Sequence, residues 1–539
     1  MRGIYIYMVS AALATSLSAK AQYAWQEDEN TGKLDLTHNI TYMIESQGSV
    51  SDGKTPLWLN ANKYGLSSLD EKNGYARVAV VRPLQTDSAH RWAVGYGLDV
   101  AVPVNYTSNV VVQQAFVEAR WLHGALSIGS KQYPMQLKNN LLSSGSQTFG
   151  INARPVPQIR LSLPEYWVLP IFNNMVRFKG HIAFGKMTDD NWQHDFTGKK
   201  SKYVDDVMYH SKAGYIMIGN PEGFTPLTLE LGLEMAAQYG GTAHYINSNG
   251  TETIVKGNSG LKGMLKALIP GGADAPETGT VYQNAEGNHL GSWLARLNYE
   301  RETWKLGVYA DKYFEDHSSM FQVDYDGYGT GAEWNTKKKR RFILYDFSDW
   351  LLGIELQFKY RQWLKGVVVE YISSKYQSGP IYHDHTQGNK NHVGGNDNYY
   401  NHYIYPGWQH WGQAMGNPLF RSPIYNEDGN IYFYDNRFKA FHIGINGSPI
   451  ANLDYRVLAT YQEGYGTYEI PFAKKQHNTS FMVEAAYHLP HNWHVTAAYG
   501  MDFGKLLGDN SGFQLTIRKN GILGKVKKIF QIIFYMRTL

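Results

Sequence analysis

Residues 227–238 read Leu227-Thr228-Leu229-Glu230-Leu231-Gly232-Leu233-Glu234-Met235-Ala236-Ala237-Gln238. Every second position through Met235 is a long apolar residue, and two of the residues between are glutamates. A period of two marks a β-strand with unlike faces. In a membrane barrel the leucine face meets lipid, and the face carrying Thr228, Glu230 and Glu234 meets the lumen. Residues 352–360, 481–489 and 493–502 alternate in the same way. Segments of about nine to eleven residues suit a tilted membrane strand.

Working outward, further strands are expected at 34–44, 75–82, 92–102, 111–121, 125–130, 158–163 and 175–185. Others follow at 211–218, 292–299, 304–311, 363–372, 438–446, 453–463 and 511–518. The total of about 18 is even, as closure of an antiparallel barrel with both ends on one side requires. The connections agree with it. Short links fall at 361–362, 448–452 and 489–492, and long loops at 240–291, 312–350 and 373–437. Alternating them strictly puts both chain ends on the short-turn, periplasmic side. Residues 260–269 carry Leu261, Leu265 and Leu268 on one helical face, so a short helix is expected inside the first long loop, ended by Pro270-Gly271-Gly272. The fold class is therefore all-β: a closed antiparallel transmembrane barrel of about 18 strands with long extracellular loops.

Composition supports one large β unit. The 539 residues include 54 glycines and 40 tyrosines, and no long apolar run beyond residue 21 offers a membrane helix. Arg2, the apolar stretch 4–17 and the small-x-small triplet Ala19-Lys20-Ala21 read as a cleaved signal peptide over 1–21. The barrel is expected over 22–520 and a basic, apolar tail over 521–539. Losing the signal removes Arg2 and Lys20 from 51 basic and 47 acidic residues, leaving a nearly neutral chain. A nucleic-acid partner has no electrostatic support. The absence of cysteine rules out disulfides and thiolate metal sites.

Trp92, Trp121, Trp293, Trp304, Trp363 and Trp493 stand near strand ends, where membrane barrels place interfacial aromatic girdles. The expected lumen face carries both signs of charge: Glu118, Arg120, Glu230, Glu234, Arg296, Glu300, Glu355, Lys359, Glu370, Arg456, Glu484 and Arg518. That mixture predicts a cross-linked, mainly filled lumen.

The most unusual stretch is 382–434, rich in tyrosine, tryptophan, asparagine and glycine. Rings flanked by amides suit a carbohydrate, whose C–H faces stack on aromatics and whose hydroxyls pair with Asn, Asp and Gln. The candidate binding residues are Tyr399, Tyr400, Tyr403, Tyr405, Trp408, Trp411 and Asn417. An inward-folded loop packing its rings against the barrel wall is the competing reading of the same residues. His383, His385, His392, His402 and His410 lie in this stretch, but no helix-spaced pair such as H-E-x-x-H occurs, so no metal or other cofactor is expected. No nucleophile elbow or phosphate loop occurs, and no catalytic residue stands out. The run Lys337-Lys338-Lys339-Arg340-Arg341 reads as a solvated rim or a contact for anionic lipid or acidic polymer.

Four motifs carry a family resemblance. They are Asn284-Ala285-Glu286-Gly287-Asn288-His289-Leu290-Gly291-Ser292-Trp293, Lys312-Tyr313-Phe314-Glu315-Asp316, Leu344-Tyr345-Asp346-Phe347-Ser348-Asp349 and Gly412-Gln413-Ala414-Met415-Gly416-Asn417-Pro418-Leu419. With them the chain resembles the Wzi-type capsule assembly family across nearly its whole length after the signal. The resemblance implies an 18-stranded outer-membrane barrel, not an enzyme, that binds capsular or exopolysaccharide in a lectin-like way and helps attach it. It transfers no binding residue to a numbered position, so the candidate residues rest on loop chemistry. The implied partners are surface polysaccharide, outer-membrane lipids and the barrel-insertion machinery. A diffusion channel and an outer-membrane hydrolase acting on lipid or glycan are the alternatives. One departure is that the last strand is not followed by a terminal aromatic but by the tail from Gly524 to Leu539.

Overall fold

The computed structural model describes residues 34–523, apart from 89–90, 222, 224–225, 248, 270–286, 316–321, 324–328, 330, 338–341, 344–347, 383–386, 389 and 391–392. The expected signal peptide, nearly all of the tail, the Pro270-Gly271-Gly272 stop, His383, His385, His392 and most of the basic run lie outside the described residues.

Eighteen antiparallel strands form one sheet that closes on itself. They are β1 (Ile40–Asp52), β2 (Lys72–Arg82), β3 (Trp92–Val104), β4 (Val111–Trp121), β5 (Gly124–Ser130) and β6 (Gln158–Leu169). Next come β7 (Val176–Lys186), β8 (Met208–Ile218), β9 (Leu227–Tyr239), β10 (Asn288–Glu300), β11 (Trp304–Glu315) and β12 (Leu351–Phe358). The circuit ends with β13 (Gly366–Ser373), β14 (Phe438–Ile450), β15 (Leu453–Gly466), β16 (Pro471–Leu489), β17 (Trp493–Gly504) and β18 (Asn510–Leu523). β18 returns to β1 in register from Ile40↔Leu523 to Asp52↔Ser511, so the barrel has no free edge.

Each expected strand has its counterpart, with bounds that differ where the lumen face is polar. β1 starts later than expected and runs on to Asp52. Glu45, Gln47 and Ser49 are buried inside it while Ile44 and Val50 face outward. Residues 35–38 instead form a turn in which Thr37 donates to Asp35. The loops expected at 240–291 and 312–350 are shortened because β10 begins at Asn288 and β11 runs to Glu315. The expected short helix is present at Leu261–Leu268.

Amphipathicity is inverted relative to a water-soluble sheet. On β9, Thr228, Glu230 and Glu234 are buried while Leu227 and Leu231 are exposed. Val78, Leu98, Val117, Ile159, Ile354 and Phe441 continue the outer apolar belt. Such a belt is stable only where lipid, not water, surrounds it. Trp92, Trp121 and Trp493 lie at strand ends on the short-turn side, with the rings of Trp92 and Trp121 6.1 Å apart. Trp304 and Trp363 stand on the same side, so the girdle is clearest at that interface.

Candidate functional site

Three segments from the long-loop end fold into the lumen: residues 53–71, 131–157 and 397–437. Wall carboxylates draw them in by accepting backbone N–H groups that no strand partner satisfies. Asp502 accepts from Leu57 N at 3.0 Å and Glu370 from Ser144 N at 2.7 Å. Asp311 accepts from Gln147 N at 3.1 Å and Glu315 from Tyr400 N at 2.6 Å. Wall side chains also reach the plug directly. Trp58 Nε1 donates to Thr460 at 3.1 Å, and Gln462 and Gln238 donate to the carbonyls of Leu419 and Gly407 at 2.9 and 3.0 Å. Several of the mixed lumen charges are paired. Arg296 meets Glu355 at 2.7 Å, Arg456 meets Glu484 at 3.0 Å, and Lys138 of the plug meets Asp311 of the wall.

The aromatic stretch supplies the centre of this plug. Trp408 is fully buried, donates to Thr148 O at 3.0 Å and stacks on Tyr209. Tyr400 stacks on Phe420 at 3.9 Å, and its hydroxyl donates to Gln147 O while accepting from Asn417 N. Asn417 Nδ2 donates to Ser144 Oγ and Gly145 O at 3.1 and 3.0 Å. Tyr399 packs edge-on against Tyr313, and Tyr405 sits with Val204, Val207 and Ala243. Of the two readings of this stretch, the inward-folded loop describes most of these residues. Tyr399, Tyr400, Tyr405, Trp408 and Asn417 are buried among plug and wall, because rings and amides also serve a packed polar core. Trp411 is half-buried beneath the Arg154 guanidinium at 3.9 Å. Of the seven, Tyr403 alone is open to solvent, at 82% exposure.

The two described histidines of this stretch are internally engaged. His410 Nε2 accepts from Thr188 N at 3.2 Å, so Nδ1 carries the proton and donates to Arg154 O at 2.8 Å. Burial pushes His410 down to about 4 and His402 down to about 3, keeping both neutral. Among the described residues, no group of three or more His, Asp or Glu side chains is arranged to hold a metal ion.

At the outer face lies a groove of about 180 Å³ edged by Ser201, Lys202, Asn430, Tyr432, Tyr434 and Ile470. The rings of Tyr432 and Tyr434 lie 5.1 Å apart. Tyr434 donates to Asp428 at 2.5 Å, and Asn430 donates to Tyr434 Oη at 3.0 Å. Tyr432 donates to Glu469 at 3.1 Å. Lys202 Nζ is held by the carbonyls of His402, Tyr403 and Tyr405 at 2.7, 3.0 and 3.0 Å. Its burial lowers it to about 8. Tyr245, from an outer hairpin, donates to Tyr403 O at 2.9 Å with the two rings 5.5 Å apart. Sequence reading placed Tyr432 and Tyr434 in the notable stretch but missed Lys202 and Tyr245. Tyr245 comes from the long loop expected at 240–291, but Lys202 comes from the connection between β7 and β8, which the sequence reading did not single out.

No family model matches the chain, and no curated protein matches it in sequence. Solved structures resemble it in fold. One is Wzi of Escherichia coli, described as an outer membrane protein involved in group 1 capsule assembly and a carbohydrate-binding β-barrel, at 12% identity and TM-score 0.52. The match covers 88% of this chain and 83% of that one. Another is OprD of Pseudomonas aeruginosa, at 8% identity and TM-score 0.41, covering 90% and 96% of the two chains. A third is OmpT, an outer membrane protein of Vibrio cholerae, at 8% identity and TM-score 0.34, covering 90% and 97%. The chain is thus an 18-stranded β-barrel of the outer-membrane kind.

Proposed function

We propose that this protein is a non-enzymatic outer-membrane barrel that binds a surface polysaccharide, capsular or exopolymeric, and helps attach it to the cell. The observation that carries this reading is a lumen occupied by a hydrogen-bonded plug whose outer side presents tyrosines beside Asn430, Asp428 and Glu469. Tyrosine rings take sugar C–H faces, and the flanking amide and carboxylates take hydroxyls. Weak contacts repeated along a polymer add by avidity. The Wzi likeness in fold, and the carbohydrate binding stated for that protein, point the same way. The plug weighs against a diffusion channel.

The test is retention of polymer by cells expressing Tyr403→Ala with Tyr432→Ala and Tyr434→Ala. Polymer moves from the cell-bound to the shed fraction while the barrel stays folded on semi-native gels. Unchanged retention by the folded triple variant removes the groove from the account.

A further inference from the structure

A second cavity, of about 100 Å³, lies inside the barrel between the plug and strands β6 to β9. Its walls are aromatic, with Tyr133, Tyr209, Tyr215 and Trp408 among them. Of the two arginines on its lining, Arg154 turns its guanidinium to Thr107 and the Trp411 ring, while Arg160 forms no ion pair among the described residues. The Arg160 guanidinium stacks on the Tyr133 ring at 3.9 Å, and its buried Nε has no hydrogen-bond partner. Arg154 is 7% exposed, its Nη2 donates to Thr107 at 2.9 Å, and its Nε is likewise buried and unpartnered. His181, also buried on the lining, has an unpartnered Nε2. Lys131 on the same lining is already matched to Glu118 at 2.5 Å. The lining's one carboxylate, Glu234, accepts from Tyr215 at 2.7 Å. Exposed Pro134 and half-buried Gln136 edge an opening to the lumen.

A buried guanidinium Nε without an acceptor is costly, and a planar guanidinium matches a carboxylate in bidentate fashion. Stacked rings on the same walls suit a sugar face, while Glu234 and His181 suit hydroxyls. We propose that this cavity binds the carboxylate of a small acidic sugar, a single hexuronate-type ring, held by Arg160 against Tyr133 and Trp408. The site is distinct from the outer groove and does not depend on polymer binding there.

The experiment is titration calorimetry of the detergent-purified full chain with glucuronate, with glucose as the neutral probe. Glucuronate binds and glucose at the same concentrations does not. Arg160→Gln weakens glucuronate binding by about tenfold or more, the size expected for a charge-assisted hydrogen bond. Ala153→Leu, which keeps the Arg160 guanidinium and fills the cavity, abolishes binding while the barrel stays heat-modifiable. Polymer retention is unchanged in both variants, which separates this site from the outer groove. Equal uptake of the two sugars, no glucuronate binding by the parent, or unchanged affinity in both variants overturns the proposal.

Discussion

Asp311 on β11 is the strongest single tie between wall and plug, and replacing it should release one without the other. Its side chain is fully buried and pairs with Lys138, itself 1% exposed. The same carboxylate accepts from Gln147 N and Gln147 Nε2, each at 3.1 Å. Asp311→Ala leaves the Lys138 ammonium buried with only the Gly145 carbonyl, 3.3 Å away. Breaking a buried pair from one side costs about 3–5 kcal/mol, a shift of about a hundredfold to a thousandfold or more in the opening equilibrium. The loss falls on residues 131–157, because the backbone pairs Asp311↔Leu294 and Asp311↔Leu351 do not use the side chain. Limited proteolysis of that segment and ion conductance in planar bilayers should both rise, while gel heat-modifiability still reports a closed barrel. Lys138→Met combined with Asp311→Leu, which removes both charges, should recover most of the protection. An Asp311→Ala variant as protease-resistant and as non-conducting as the parent would refute the tie. So would loss of barrel and plug in one transition.

Other outcomes follow from the same geometry. Trp408→Ala should loosen the plug by about 3–5 kcal/mol, seen as faster cleavage within 397–437. A variant that sheds polymer with full protease protection would return Trp408 to the binding surface. Asp435, beside β14, is raised to about 7 by burial while accepting from Gly466 N and Gln462. The folded chain then keeps a proton between about pH 4 and 7 that the unfolded chain releases, so this group's contribution to stability falls as pH rises through that window and is flat above it. Asp435→Asn should flatten that fall in a protease-protection series from pH 5 to 8, and an unchanged slope would assign the dependence elsewhere. Deleting residues 524–539 should leave insertion intact, since β18 already closes on β1 through Ile40↔Leu523. Failure to give a heat-modifiable barrel would show that the tail, not β18, carries the insertion signal.

The wall was legible in the sequence because its signal is local. Alternation of Leu227, Leu229 and Leu231 with Thr228 and Glu230 needs no knowledge of the partner strand, and loop lengths then give parity. The second half of β1 was less so, since Glu45, Gln47 and Ser49 look like loop residues until a polar lumen is there to bury them. The plug was legible only as two readings of one composition. Tyr400, Trp408 and Asn417 have the chemistry of a sugar site and equally of a polar core. What decides is the set of carboxylates Glu315, Glu370 and Asp311, more than sixty residues away along the chain in each pair but one hydrogen bond away in space. The outer groove joins Asn430, Tyr432 and Tyr434 of one loop to Ser201, Lys202 and Ile470 of two others, a meeting that no local pattern announces.

A plugged barrel that holds polysaccharide at the cell surface sets how much of the polymer stays cell-bound. The most direct measurement is the ratio of cell-bound to shed polysaccharide in cells lacking this protein, with total synthesis measured alongside. A shift towards shed polymer at unchanged synthesis, reversed by the parent chain, is expected. An unchanged ratio would contradict it.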